Sequence, residues 1–353
     1  MRETTQVDER SLLDAVQRDV EVLLRRGLTS ESDRDLIPLW SAAASRGWKD
    51  LVDASGRVKA DRLRNFRRDE ILVQDLPGAP ISSSRLGNQL VGWRRATFNC
   101  LRQCFDILVA AGYEGLLHKY PCHRAGNPHV LRYRGYEFTF SWARHIYCLG
   151  LMNRSLGPKL QDESIVLEFG GSYGALASLV RQEYPGWHYV SVDLPEQLII
   201  ARYFLGCSFP GARIAGPREL MDVPVITRDF IKDFDFVLVP AGMFQRLAPG
   251  AIDVVTSFGS LGEMSRQYFD AYVLSDVYRS ARYQFMINRI GARPAAYHND
   301  ITALDYPIWN RDQMLHFDVC PIYAVDFLFN SSFFSYESAV PDPHFEYIGR
   351  VSA

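Results

Sequence analysis

The chain has no excess of either charge: 39 lysines and arginines face 41 aspartates and glutamates. That balance removes the electrostatic reason to expect nucleic acid or an anionic membrane as the main partner. It has no Cys-x-x-Cys, and Cys100, Cys104, Cys122, Cys148, Cys207 and Cys320 show no paired spacing. A disulfide framework is therefore not expected, and reduced thiols in a cytoplasmic protein are. The opening MRETTQVDERSLLD lacks the apolar centre of a signal peptide, and no apolar run reaches the roughly 18 residues of a membrane span. Internal repeats and low-complexity tracts are missing too. What the chain does have is aromatic surface, 18 Tyr and 21 Phe, suited to a well-packed domain that stacks a ligand.

Two rhythms divide it. Up to about residue 155 the pattern is mostly helical. VQRDVEVLLRR is amphipathic, and in Arg85 to Ala111 the residues Leu86, Leu90, Trp93, Thr97, Leu101, Phe105 and Leu108 recur at helical steps before Gly112. LRYRGYEFTF alternates like a hairpin, and the segment after it predicts a helix capped by Thr139 or Ser141. From about residue 160 apolar strands alternate with helices: SIVLEFG, WHYVSVDLP, FDFVLVPAG, IDVVTSFG and YQFMINR. Such alternation predicts a parallel sheet with helices on both faces. The final segment predicts an antiparallel hairpin around Asn330-Ser331-Ser332, closed by HFEYIGR. The expected architecture is α/β, a parallel sheet ended by that hairpin. A helical domain, 1–155, precedes a ligand-binding domain, 160–353.

VLEFGGSYGALASLV is a strand, a glycine turn and a helix start in fifteen residues. The Gly-Lys-Ser/Thr of a P-loop is missing, and G-x-G-x-x-G fits badly because Ser172 and Ala175 occupy its second and third glycine positions. The next strand ends in Asp193, 23 positions after Gly170, where a carboxylate accepts from ribose hydroxyls. Bare glycines admit a close ligand, and a helix amino terminus offers N–H groups to a carboxylate. Ribose plus carboxylate without phosphates describes S-adenosylmethionine. The structural alternative keeps the glycines as turn formers and Asp193 as a helix cap.

VLEFGGSYGALASLV, YVSVDLPEQL and DVVTSFGSLGEM together resemble the class I S-adenosylmethionine-dependent methyltransferases, a Rossmann-like fold. More narrowly they are similar to the bacterial sugar O-methyltransferase family, with its Glu-x-Gly-Gly-Gly-Tyr/Phe-Gly turn and Ser-Phe-x-Glu-Met segment. Ser172 replaces the usual middle glycine. The likeness runs from about Gly126 to the final hairpin, and the first 80 residues carry no part of it. It implies that Glu168, Gly170, Gly171, Ser172 and Gly174 surround the methionine part of the cofactor, and that Asp193 holds the ribose beside Leu194 and Gln197. The turn with Gly242 and Met243 would face the adenine, where many relatives carry an acid that this chain lacks.

Methyl transfer to a sugar hydroxyl calls for a general base, since the hydroxyl is far less acidic than a phenol. Glu263 matches the family segment and is the first choice, against a helix-capping role. His145 is the second, against a packed interior histidine, and its neighbour Arg144 is placed to pair with the cofactor carboxylate. Ser257 would bond the cofactor or acceptor. His123, Asn127 and His129 in one loop, with His298 and Asp305 in another, would frame the acceptor. No metal is expected; Asp300, Asp305 and His298 are the only cluster in position for one. The expected activity is O-methylation of a free, nucleotide-linked or glycosylated small molecule in natural-product or glycan biosynthesis, with the helical half covering the acceptor or making a homodimer contact. Alternatives are a methyltransferase-fold scaffold, N- or C-methylation and, weakest, an NAD oxidoreductase.

Overall fold

Ile165–Phe169, the apolar run that enters the glycine turn, is a central strand buried on both faces. The computed structural model describes residues 8–29, 38–73, 75, 92–292, 299–309, 313–323, 328–332, 335–338 and 343–351. Along the chain the strands are β1 (Leu131–Tyr133), β2 (Tyr136–Phe138), β3 (Ile165–Phe169), β4 (His188–Asp193), β5 (Ile214–Ala215), β6 (Phe236–Pro240), β7 (Val254–Phe258), β8 (Tyr283–Arg289), β9 (Met314–Val319), β10 (Leu328–Ser332), β11 (Ser335–Ser338) and β12 (His344–Arg350). The helices are α1 (Glu9–Arg26), α2 (Pro38–Leu51), α3 (Ala60–Arg64), α4 (Gly92–Ala111), α5 (Glu114–Lys119), α6 (Phe140–Ser155), α7 (Ala175–Glu183), α8 (Pro195–Ser208), α9 (Pro217–Leu220), α10 (Arg228–Lys232), α11 (Arg266–Val273) and α12 (Asp276–Arg279).

The main sheet has the order β5-β6-β4-β3-β7-β8-β12-β9. Its first six strands are parallel, and β12 and β9 run antiparallel to their neighbours. This is the α/β, Rossmann-like sheet the resemblance implies. Order reverses at β3, which has β4 on one side and β7 on the other, so the two connections diverge and a crevice opens at the carboxyl ends. Strand alternation sorts the two faces. Val166, Tyr189, Phe236 and Phe285 pack under α6, α7 and α8, whereas Leu167, Phe169, Val190 and Val239 pack under α11 and α12. Both faces are covered, which is why these strands read as nearly unbroken apolar runs.

Two expectations need correcting. The hairpin near Asn330 exists, but among the described strands β10 and β11 pair only with each other, and Asn330 to Ser332 lie in a strand rather than in the turn. The sheet is instead completed by β12 beside β8 and by β9 at the edge. β9 alternates Leu315, Phe317 and Val319 with His316 and Asp318, and its apolar residues are partly exposed, so it lacks the unbroken apolar run of an interior strand. β5 was not expected at all: two residues carry no periodicity.

The helical first half shares the core on the α8 side of the sheet. Val16, Val20 and Leu23 of α1 belong to the same buried cluster as Leu198, Phe204 and Val166. Asp19 on α1 pairs with Arg202 on α8 at 2.9 Å and accepts from the Arg218 N–H at 3.0 Å. Burial pushes the Asp19 carboxyl up to about 6. Thr139 is the cap of α6, accepting from the Trp142 N–H at 3.2 Å. No helix among the described residues is long and apolar enough to cross a membrane.

Candidate active site

The glycine turn is built around two carboxyl groups. Gly170 has φ +76°, and a Cβ there would lie 1.9 Å from Ser260 Oγ, so neither the backbone nor the neighbouring loop admits a side chain. At Gly171 a Cβ would meet Ser191 Oγ at 2.4 Å and Glu168 Oε2 at 2.9 Å. Ser172 also has positive φ, +50°, a left-handed conformation that glycine adopts more readily than serine. Its N–H donates to Asp193 Oδ2 at 2.7 Å, and the Leu194 N–H donates to Oδ1 at 2.7 Å. Asp193 thereby ties the end of β4 to the turn after β3. Each oxygen keeps a further lone pair for a ligand hydroxyl.

This turn forms one wall of a cavity of about 490 Å³ at the carboxyl ends of the strands. Glu168, Gly170, Ser172, Asp193, Leu194 and Gln197 line it on the turn side. The Gln197 Nε2 is fixed to the Leu72 carbonyl at 2.7 Å, while its buried Oε1 has no partner among the described residues. Across from them stand Arg144, His145, Glu263, Arg289, Tyr323 and His344. The roof comes from α2 and the segment after α3: Trp40, Arg46, Asp50, Glu70 and Leu72 also line the space.

On the second wall the side chains are held in fixed states. His145 Nδ1 lies 2.8 Å from the Ser141 carbonyl, which only accepts, so the proton sits on Nδ1 and Nε2 is the basic nitrogen. Burial lowers its pKa to about 4, so the ring is neutral at physiological pH. Glu263 Oε1 pairs with Arg289 Nη2 at 2.6 Å. The Arg144 guanidinium is stacked 4.0 Å from the Phe140 ring centre and 4.6 Å from that of Tyr323, and burial lowers its pKa. His344 packs 5.2 Å from Tyr323, ring to ring.

The crevice does not gather every residue singled out from sequence. Gly171 and Gly174 shape the turn from behind the cavity wall. Ser257 accepts from the Leu261 N–H at 3.2 Å and braces the loop that carries Glu263. In the turn after β6 Ala241 lines the cavity, while Met243 is packed in the core and Gly242 faces outward. His123 packs edge-on to Phe204 at 5.6 Å, and Asn127 donates to Asn65 at 2.7 Å. Neither these two nor His129 is among the residues lining the cavity. Asp305 and Asp300 are drawn to Arg266, at 2.9 and 2.8 Å. His298 lies outside the described residues, among which no group of three metal-ligating side chains is present. Sequence reasoning missed Arg289, Tyr323, His344 and the α2 roof. The first and third had a signal: antiparallel pairing of HFEYIGR with YQFMINR sets His344 opposite Arg289.

Burial also pushes Glu168 and Asp193 up, each to about 7, although the Tyr189 hydroxyl and the turn N–H groups pull the other way. The folded chain therefore holds these two protons to higher pH than the unfolded chain does. Their contribution to ligand-free stability is greatest below the ordinary carboxyl range and falls as pH rises through about 7. Glu168→Gln removes one buried charge and keeps an acceptor for Tyr189. Its ligand-free melting temperature at pH 8 is expected to exceed that of the parent, by roughly 2–4 °C for each kcal/mol relieved. The two proteins should converge near pH 4; parallel melting curves from pH 4 to 8 would contradict the burial argument.

No family model matches the chain. No curated protein matches it. Among solved structures it is similar to a candidate RNA methyltransferase from Pyrococcus horikoshii, at 13% identity and TM-score 0.35 over 67% of this chain and 88% of that one. It is likewise similar to the YcgJ protein of Bacillus subtilis, at 11% identity and TM-score 0.36 over 58% and 98%. A third is phosphoethanolamine N-methyltransferase 2 of Haemonchus contortus in complex with S-adenosyl-L-methionine, at 12% identity and TM-score 0.32 over 51% and 38%.

Proposed function

We propose that this protein is an S-adenosylmethionine-dependent methyltransferase that acts on a hydroxyl group of a sugar-bearing small molecule. The observation that carries this reading is convergence on one cavity. The strained glycine turn, the Asp193 carboxylate fixed by two N–H groups, and a neutral histidine with a basic Nε2 all meet there. The residues present fit the cofactor. Asp193 has lone pairs for two ribose hydroxyls, Gln197 supports the reading with an oxygen that has no donor among the described residues, and the volume lies in the range of small-molecule sites. When bound, the cofactor supplies an electrophilic methyl group on a sulfonium.

The chain's own residues then have three tasks. Asp193, Gln197 and the bare backbone of Gly170 orient the ligand, and Arg144 is placed for its carboxylate. The Glu263–Arg289 pair presents a donor and an acceptor to the diol-like face of a sugar. His145 Nε2 takes the hydroxyl proton; positioned proton transfer of this kind is worth ~10²–10⁴-fold in rate. The α2 roof, with Trp40 as an apolar stacking face, excludes water and covers the reactants.

Transfer of a labelled methyl group into a panel of free sugars, nucleotide sugars and glycosides tests the reading. Label is expected in a base-stable ether on a sugar hydroxyl. Incorporation confined to amines moves the reaction to nitrogen, and no incorporation into any class overturns the assignment.

A further inference from the structure

Beneath the cavity lies an ion pair that the proposed chemistry does not touch directly. Arg67 and Asp75 both have 0% exposure, and Arg67 Nε donates to Asp75 Oδ2 at 2.5 Å. Arg67 spends its remaining N–H groups on the His123 carbonyl at 2.6 Å, Asp75 Oδ1 at 3.3 Å, Cys122 Sγ at 3.4 Å and Thr139 Oγ1 at 3.5 Å. Its guanidinium also lies 5.1 Å from the centre of the Tyr173 ring. A buried ion pair returns little net stability for its desolvation, so its position deserves a chemical account.

From Asp75 a line of hydroxyl groups leads to the cavity. The Tyr173 hydroxyl donates to Asp75 Oδ1 at 3.4 Å, and Thr139 Oγ1 donates to the same oxygen at 3.0 Å. Ser141 Oγ lies 3.4 Å from the Tyr173 hydroxyl and 3.3 Å from His145 Nδ1. The polarity of this chain is fixed at both ends. A carboxylate paired with a guanidinium only accepts, so Tyr173 donates to it. Nδ1 carries one proton, directed chiefly to the Ser141 carbonyl at 2.8 Å and shared with Ser141 Oγ at 3.3 Å, so Oγ accepts the weaker branch and donates to Tyr173. Both hydroxyl hydrogens of the chain therefore point away from the histidine and toward the buried carboxylate. Contacts at this length are those expected to tighten once the ring becomes charged.

Resting on the function proposed above, we infer that Asp75 is a positioning residue that acts through Tyr173 and Ser141 to stabilise the protonated His145 ring. The proton leaves the acceptor oxygen for Nε2, the O–H electron pair stays on that oxygen, and Nδ1–H remains in place as the head of the chain. The arrangement offsets what burial does to this ring. Desolvation and the cations Arg144 and Arg67 disfavour the imidazolium, while Asp75 and the Ser141 carbonyl favour it. It also links the helical half to the chemistry. Asp75 comes from the segment after α3, Ser141 and His145 from α6, and Tyr173 from the glycine turn, so the base is tuned by three distant parts of the chain.

Tyr173→Phe is the variant of choice because it breaks the chain and keeps the ring packed against Phe66 and Phe204, at 5.7 and 4.9 Å. Ring titration of His145 by NMR on the full-length, histidine-labelled protein needs no substrate. The variant is expected to lower the proton affinity of His145 about ten-fold, one unit of pKa, with Ser141→Ala doing the same. In turnover, kcat should fall about ten-fold with KM unchanged, the acid limb of the kcat profile should shift with the NMR titration, and Tyr173→Phe should add nothing in a His145→Gln background. An unmoved titration in both variants overturns the inference, as does an equal loss of kcat in the His145→Gln background. Should the parent transfer no methyl group, the proposed function falls, while the ring titration still decides for or against the chain.

Discussion

Asp193→Ala is expected to weaken S-adenosylmethionine binding at least 100-fold by calorimetry, which corresponds to about 2.7 kcal/mol. Two sources add up. The ribose loses two charge-assisted hydrogen bonds, each of about 1.5–3 kcal/mol. The N–H groups of Ser172 and Leu194 lose the carboxylate that fixes the turn against β4, so the cradle also loosens. Because burial holds the Asp193 carboxyl at about 7, affinity of the parent for the cationic cofactor should rise from pH 6 to pH 8 as the group ionises. That slope should become shallower in the variant, keeping only the share that Glu168, also held at about 7 in the same cavity, contributes. NAD is the control, since the turn lacks the second and third glycines of a dinucleotide site and NAD should bind neither protein. An unchanged dissociation constant in Asp193→Ala would place the cofactor elsewhere, and the activity proposed for the cavity would go with it.

His145→Gln carries the second large effect: kcat lower by ~10²–10⁴-fold, with the cofactor dissociation constant within two- to three-fold of the parent. The glutamine keeps a donor for the Ser141 carbonyl and removes the basic nitrogen, so packing survives while the proton loses its acceptor. Glu263→Gln provides the contrast. Its carboxylate is committed to Arg289, so its loss should raise KM for the acceptor more than it lowers kcat. The reverse outcome, with turnover lost in Glu263→Gln and retained in His145→Gln, would make the glutamate the base and the histidine a wall residue.

Particular residues show how far the sequence could be read. The five interior parallel strands were legible because a sheet buried on both faces must be written in Val, Ile, Leu and Phe, and runs such as IVLEF and FVLVP have no other comfortable state. Gly170 and Asp193 were legible as a pair because a fold that binds at the carboxyl ends of its strands fixes their separation. β9 and β5 were not, since an edge strand with exposed apolar residues and a two-residue strand carry too little pattern. Met243 was placed against the ligand by analogy with a turn, yet it is Ala241 that lines the cavity and Met243 that packs behind it.

The remainder of the site lay beyond any local pattern. Trp40, Asp75 and His344 lie 95 or more positions from Gly170 at the start of the glycine turn (170 − 75 = 95 for Asp75), and nothing in their own neighbourhoods marks them. By itself, the order of amino acids determined the sheet, its glycine turn and the acid at the next strand tip, because backbone conformation and burial act over a few residues. Only the tertiary structure decided which histidines line the cavity, which arginine holds Glu263, and that a fully buried Arg67–Asp75 pair stands behind Tyr173. Those are distances across a folded core, set by how helices from the first half settle on α8 and how β12 pairs with β8.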